Sequence, residues 1–127
     1  MTAAGSGSLA AAASPSPSAG SPIDRAHLAR MTLGERDLER EVLALFVRQA
    51  AALAERMDGQ SPDRVAAAAH TLKGSALGIG AWAVARAAEA VEQTACGDHR
   101  RLAENRETLR LRITEACAAI AELLRAH

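Results

Sequence analysis

One histidine of this 127-residue chain has neighbours suited to chemistry on its imidazole ring. His70 follows a run of alanines, and Lys73 and Gly74 come three and four residues after it. On a helix, residues i+3 and i+4 share a face with residue i, so the lysine and the glycine would lie beside the imidazole. An unprotonated imidazole has one ring nitrogen free to act as a nucleophile. The spacing therefore indicates a histidine with a cation one turn away. Lys73 is also the only lysine of the chain.

Gly74 lowers helix stability, because glycine inside a helix is about 0.5–1 kcal/mol less favourable than alanine. Alanine fills most small positions of this segment, so composition does not explain the glycine. Spacing alone leaves two interpretations open. Either another molecule approaches this surface closely, or the helix frays towards Gly78 and Gly80 and His70 is a solvated polar residue.

The helix that carries His70 is predicted to run from Ser61 to Ile79, with Ser61 as its N-cap and Gly80 beyond its end. At about 100° per residue, the imidazole points roughly opposite to Leu72. Leu72 belongs to the apolar side of the helix, which consists of Val65, Ala68, Ala69, Leu72, Ala76 and Ile79. The pattern thus predicts an exposed histidine on a helix with a buried opposite face.

Four more helices are predicted around this one. A capping box at residues 21–24 would open a short helix through Arg30 or Met31, and a second box at residues 32–35 would open a helix that Gly59 ends. One helix would follow from Ala81 to Gly97, and Asp98 would cap the last. The apolar stripe predicted for the second helix is Leu38, Val42, Leu45, Phe46, Gln49 and Leu53. Strand-like alternation is missing, so the fold class is all-α: an antiparallel up-down four-helix bundle with a short N-terminal capping helix.

Composition divides the chain in two. Residues 1–22 are rich in Ala, Ser, Gly and Pro and are predicted to be a disordered tail, and residues 23–127 form the bundle. The tail has neither the basic start nor the apolar run of a signal peptide, and no stretch reaches the ~20 apolar residues of a membrane span. Fifteen basic and fifteen acidic residues cancel, which argues against nucleic acid or an anionic membrane as partner. We expect a cytoplasmic protein.

The two cysteines, Cys96 and Cys117, form no paired motif and are interpreted as small buried residues in a reducing compartment. A metal site that combined them with His99 would lack a fourth ligand at suitable spacing. No metal site is therefore predicted.

The run AHTLKGSALGIGA, residues 69–81, is similar to the signature of histidine-containing phosphotransfer (HPt) domains, the phosphohistidine modules of phosphorelays. The matching positions are His70, Leu72, Lys73, Gly74, Ser75, Gly80 and Ala81. Glu92 stands where the family commonly has a glutamate or glutamine. The resemblance extends from about Ile23 to the C-terminus.

This resemblance implies a phosphorelay intermediate that carries a phosphoryl group on His70, at the ring nitrogen facing solvent. Lys73 would offset phosphoryl charge as a flexible cation. Glu92 lies about as far beyond the Gly80 turn as His70 lies before it, to within ~3 Å of helix rise. Antiparallel packing would bring them level, where the carboxylate could fix the tautomer of the ring.

The implied partner is the receiver domain of a response regulator, a hybrid histidine kinase, or both. The surface expected to meet it is small and partly apolar, and consists of Ala66, Ala67, Gly74 and Leu77. Leu72, Ser75 and Gly80 would serve as structural parts of the motif. Arg86 faces the same region. It could help to hold a phosphate, but the preferred interpretation is a solvated arginine.

The sequence has no glycine-rich nucleotide loop, so we expect a phosphocarrier that does not phosphorylate itself and is not an enzyme. We also expect it to be a monomer. It also has no cluster of acidic residues for Mg²⁺. No cofactor is therefore expected in the chain, and the receiver would supply Mg²⁺.

Two functions from other classes remain open. One is a helical-bundle adaptor that binds a kinase or receiver without carrying phosphate, which a His70 that is buried or hydrogen-bonded into the core would indicate. The other is an enzyme that uses His70 as general base, for which Glu92 is the one further catalytic group in the sequence.

Overall fold

The computed structural model describes residues 21–126, and five α-helices account for most of them. They are α1 (Arg25–Met31), α2 (Arg36–Arg56), α3 (Pro62–Ile79), α4 (Trp82–Thr94) and α5 (His99–Ala126). These 106 positions (21 through 126) contain no strand, and the predicted all-α class is confirmed. The predicted disordered tail lies outside the described residues, apart from Ser21 and Pro22.

The four long helices form a closed ring. Helix α3 packs against α2 and α4, α4 packs against α5, and α5 returns to α2. Short connections join successive helices, so neighbours in sequence run antiparallel. The short α1 packs against α3, as predicted for a capping helix.

The core combines a few large side chains with many alanines. Its largest fully buried members are Phe46, Ile23, Leu43, Leu72, Leu109, Ile120, Val84 and Val91. Six of the eleven buried residues of α3 and α4 are alanine, including Ala69, Ala76 and Ala88, all at 0% exposure. Small side chains let these two helices approach closely. Side chains of α3 can therefore contact side chains of α4.

Helix α1 begins at Arg25, and the predicted start at the Ser21 capping box is wrong. Asp24 is the N-cap: its Oδ1 accepts from the backbone N–H of His27 at 3.0 Å. Ser21 Oγ instead contacts the backbone of Ile23. The extended conformation of Asp24 (φ −82°, ψ 97°) precludes an earlier start and lets Ile23 insert fully into the core.

The second predicted capping box is also wrong, because Thr32 ends α1 and does not open α2. Thr32 is buried, and its Oγ1 donates to the carbonyl of Leu28 at 2.9 Å. Leu33 and Gly34 follow with φ of 56° and 74°, in the left-handed region where a helix cannot continue. Helix α2 therefore starts only at Arg36.

The apolar stripe of α2 is rotated from the predicted one. Its buried residues are Leu43, Phe46, Ala50 and Leu53, whereas Leu38 and Leu45 are 39% and 45% exposed. The predicted stripe included Leu38 and Leu45 and left out Ala50. Ala50 lies four residues after the buried Phe46, and an alanine can occupy such a buried position when a neighbouring helix packs against it.

Cys96 is exposed, so its interpretation as a buried residue is wrong. Cys117 is half-buried, and burial raises the pKa of its thiol.

Within residues 21–126, no helix combines the length and hydropathy needed to cross a membrane.

Candidate functional site

Helix α3 presents His70 to solvent near the middle of its length. The six residues predicted for its buried face are all buried: Val65, Ala68, Ala69, Leu72, Ala76 and Ile79. The side chain of His70, on the opposite face, is 67% exposed. The sequence thus orients this histidine through the helix period alone.

Helix α4 brings Glu92 to the same level. Glu92 Oε2 lies 2.9 Å from His70 Nδ1. A carboxylate can only accept, so Nδ1 carries the proton and donates. In the neutral ring, the proton-free nitrogen is then Nε2, which has no hydrogen-bond partner among the described residues.

Lys73 holds the other oxygen of this carboxylate: its Nζ donates to Glu92 Oε1 at 3.0 Å. The Lys73 side chain is 24% exposed, less than half as much as that of His70. The hydrogen bond from Lys73, aided by that from His70, lowers the pKa of Glu92 below its ordinary value against a smaller desolvation effect. Glu92 is therefore an ionised acceptor held at both oxygens.

The turn between α3 and α4 depends on Gly80. Its φ is 78°, in the left-handed region that favours glycine. A Cβ there would lie 2.9 Å from both Cβ and the carbonyl oxygen of Asp24, whose own N–H donates to the Gly80 carbonyl. The turn thus fixes the helix register and also receives the start of α1.

Gly74 is different, because a Cβ at this position would meet nothing within 4 Å. The glycine is not required by packing inside the protein, and it leaves an open surface one turn above His70. The fraying interpretation does not hold, since α3 continues through Ile79.

The other residues predicted for this surface fall on the exposed side of α3. Ala67 is exposed, Ala66 is half-buried, and Leu77 is 44% exposed. Leu72 is fully buried, and Ser75 Oγ donates to Gln49 Oε1 at 3.1 Å, which connects α3 to α2. Arg86 is exposed and lines a groove of about 360 Å³ together with Lys73 and Leu77.

Sequence reasoning missed a cluster that attaches α1 to the turn. Trp82 Nε1 donates to Asp24 Oδ2 at 3.0 Å, and the His27 ring meets Trp82 edge-on at 4.8 Å between centroids. His27 Nε2 also lies 3.0 Å from the Leu77 carbonyl, which connects α1 to the end of α3. The signal was the single tryptophan directly after the glycine turn, since a partly buried indole N–H requires an acceptor.

An all-α bundle with an exposed, carboxylate-oriented histidine on its second long helix defines a class of protein, the histidine phosphotransfer modules. A family model described as the Hpt domain matches residues 41–126. The chain is also similar to the crystal structure, at 1.52 Å resolution, of the histidine phosphotransferase ShpA from Caulobacter crescentus. That match has 30% sequence identity, a TM-score of 0.66, and covers 83% of this chain and 92% of the other. No curated protein sequence matches significantly.

The chain belongs to the Hpt domain family. Membership gives it a role in histidine phosphotransfer within two-component signalling.

Proposed function

We propose that His70 Nε2 is the phosphoacceptor and exchanges a phosphoryl group with the aspartate of a receiver domain. The observation that carries this proposal is an exposed imidazole whose Nδ1–H is held by Glu92 and whose Nε2 has no hydrogen-bond partner among the described residues. The adaptor alternative would be indicated by a His70 that is buried or hydrogen-bonded into the core; the side chain is instead 67% exposed and hydrogen-bonded to Glu92 at the surface, which counts against it.

In the proposed step, the Nε2 lone pair attacks the phosphorus of an aspartyl phosphate. The N–P bond forms as the P–O bond to the aspartate breaks, and the aspartate leaves as a carboxylate. The ring keeps its Nδ1 proton and acquires a positive charge. Glu92, 2.9 Å away, is placed to balance that charge. In the reverse step, the aspartate attacks the phosphorus and the neutral ring is regenerated.

Lys73 would act in two ways. It holds the carboxylate of Glu92 in the structure. It also supplies a positive charge one turn from the acceptor, which would favour the approach of the phosphoryl group. We propose that Mg²⁺ and the remaining catalytic groups come from the receiver, and that the protein is a cytoplasmic monomer without autokinase activity.

The test is mass spectrometry of the protein after incubation with phosphoramidate, a small donor that needs no partner. Wild type should gain one phosphoryl group at His70, and His70→Gln should gain none while keeping its circular dichroism spectrum. His99→Gln is the matched control, since His99 is also exposed and lies in α5. Phosphorylation of His70→Gln at wild-type level would refute the assignment.

A further inference from the structure

A second groove adjoins His70 on the side where α3 meets α2. Its volume is about 480 Å³. Helix α3 and its leading loop contribute Gln60, Arg64, Ala67, Ala68 and Thr71, and α2 contributes Leu53 and Arg56. None of the three proposed chemical residues, His70, Lys73 and Glu92, lines this groove. It is therefore a surface that the proposed chemistry does not use.

Two arginines at this groove lack partners. Arg56 and Arg64 are both exposed, and neither has an ion pair or side-chain hydrogen bond within residues 21–126. The neighbouring carboxylates do not line the groove: Asp58 pairs with Arg106 and Arg110 of α5, Asp63 accepts from Cys96 Sγ, and the exposed Glu55 is absent from the lining. The groove thus carries two positive charges and no carboxylate.

Helix stability does not explain Arg64. It lies in the first turn of α3, where the helix dipole favours negative side chains and disfavours a cation. Arg56 lies in the last turn of α2, where a cation is favourable, but it lines the same groove as Arg64. Two like charges around one groove repel each other, and an anionic ligand between them would relieve the repulsion.

We propose that this groove binds an acidic segment of the partner protein, with carboxylates on Arg56 and Arg64 and an apolar side chain on Leu53 and Ala68. Ala67 is exposed, lines the groove, and lies one turn before His70. A segment seated there would therefore belong to the molecule that reaches the imidazole. This inference builds on the proposed function, because it assigns the recognition contact of the partner that exchanges the phosphoryl group.

The groove favours a protein segment over a nucleic acid. It contains no aromatic side chain on which a base could stack. The whole chain has a formal net charge of zero, so no long-range field draws in a polyanion. Charge complementarity is confined to the groove itself.

The test is an NMR titration of the full chain with an acetylated, amidated Glu-Glu-Leu-Glu-Glu peptide. The amide signals of Ala67, Ala68 and Thr71 should shift saturably, and a peptide with each Glu replaced by Gln should not shift them. In Arg56→Gln/Arg64→Gln the affinity should fall roughly two- to thirtyfold, as expected for two exposed ion pairs. Added salt should weaken binding to wild type more than to this variant.

Arg25→Gln/Arg30→Gln is the matched control, because it removes two exposed arginines from α1 and should bind as wild type does. Equal affinity in the groove variant, equal binding of the Gln peptide, or stronger binding of a thymidine hexanucleotide would each overturn the proposal. Phosphoramidate labelling of His70 in the same samples keeps the proposals separate. Labelling without peptide binding rejects the groove alone, and binding without labelling rejects the phosphoacceptor alone.

Discussion

Glu92 Oε2 lies 2.9 Å from Nδ1 of His70, although 22 residues separate the two in sequence. The contact spans the α3–α4 pair and leaves Nε2 as the ring nitrogen that faces solvent. The helix period of α3 explains why His70 is exposed. Only the packing of α4 against α3 explains why Glu92 lies next to it. The consequences of this contact can be measured.

Removing the Glu92 charge should slow phosphotransfer without unfolding the bundle. Glu92→Gln should reduce the transfer rate by about tenfold, the lower end of the range for carboxylates that orient a metal-bound histidine. The ring would then lose both its ionised acceptor and the charge that balances the phosphorylated ring. Single-turnover transfer measures the rate, and ¹⁵N spectra of the imidazole report which nitrogen is protonated. Glu89→Gln, one turn earlier on α4 and exposed, should transfer as wild type does.

Lys73 should control the titration of Glu92. Its hydrogen bond is the largest cause of the lowered pKa of Glu92, so Lys73→Met should raise that pKa towards the ordinary value of 4.5. Carbon-detected NMR of the carboxyl group measures it directly. An unchanged pKa in Lys73→Met would mean that the lysine does not hold the carboxylate in solution.

The same interaction determines a pH dependence of stability. Because the folded-state pKa of Glu92 is below the unfolded one, its contribution is present above the unfolded pKa and is lost as pH falls through the folded pKa. The stability difference between wild type and Glu92→Gln should therefore be constant near neutral pH and shrink below about pH 4.5. Urea unfolding at several pH values measures this difference. A difference that grew on acidification would contradict the sign.

Gly74 should separate stability from transfer. Since a Cβ at this position meets nothing, Gly74→Ala should stabilise the protein by about 0.5–1 kcal/mol. Gly74→Gln should also fold but should block transfer, because its side chain fills the surface above His70. Thermal unfolding and receiver labelling provide the two measurements. Transfer by Gly74→Gln at the wild-type rate would show that no partner approaches this surface closely.

Leu77 should matter for the partner and little for the fold. Its side chain is 44% exposed, so Leu77→Asp should keep nearly the full stability of the bundle. It should weaken binding of the receiver, because the new charge must lose water in the contact. A binding titration beside a melting curve distinguishes the two effects. Loss of the folded state in this variant would place Leu77 in the core.

The sequence predicted those helices well whose ends are determined by residues within or directly beside the helix. Helix α3 matches its predicted bounds because Ser61 and Gly80 flank a single apolar stripe. The starts of α1 and α2 were missed because two capping patterns were present and tertiary contacts selected other residues. Burial of Ile23 and the left-handed Leu33 decide those starts, and neither is visible in a short window.

For the site, the helix period predicted the exposure of His70, and counting residues across the turn predicted its meeting with Glu92. The attachment of Lys73 to Glu92 was not predicted, because it depends on side-chain conformations. The α1 cluster was missed for another reason. Asp24 and Trp82 are 58 residues apart, and no periodicity relates them.

The three side chains proposed for the chemistry, His70, Lys73 and Glu92, all belong to the α3–α4 hairpin, whereas α2 supplies Arg56 to the proposed recognition groove. Part of the proposed recognition groove is thus encoded outside the hairpin that carries the chemistry, whereas Arg64 and Ala67 of the same groove lie on α3. Substitutions in α2 can change which partner is selected while the hairpin keeps its reactivity. Under this proposal, duplicated copies of such a protein can begin to differ in partner choice through substitutions at Arg56, with His70, Lys73 and Glu92 unchanged.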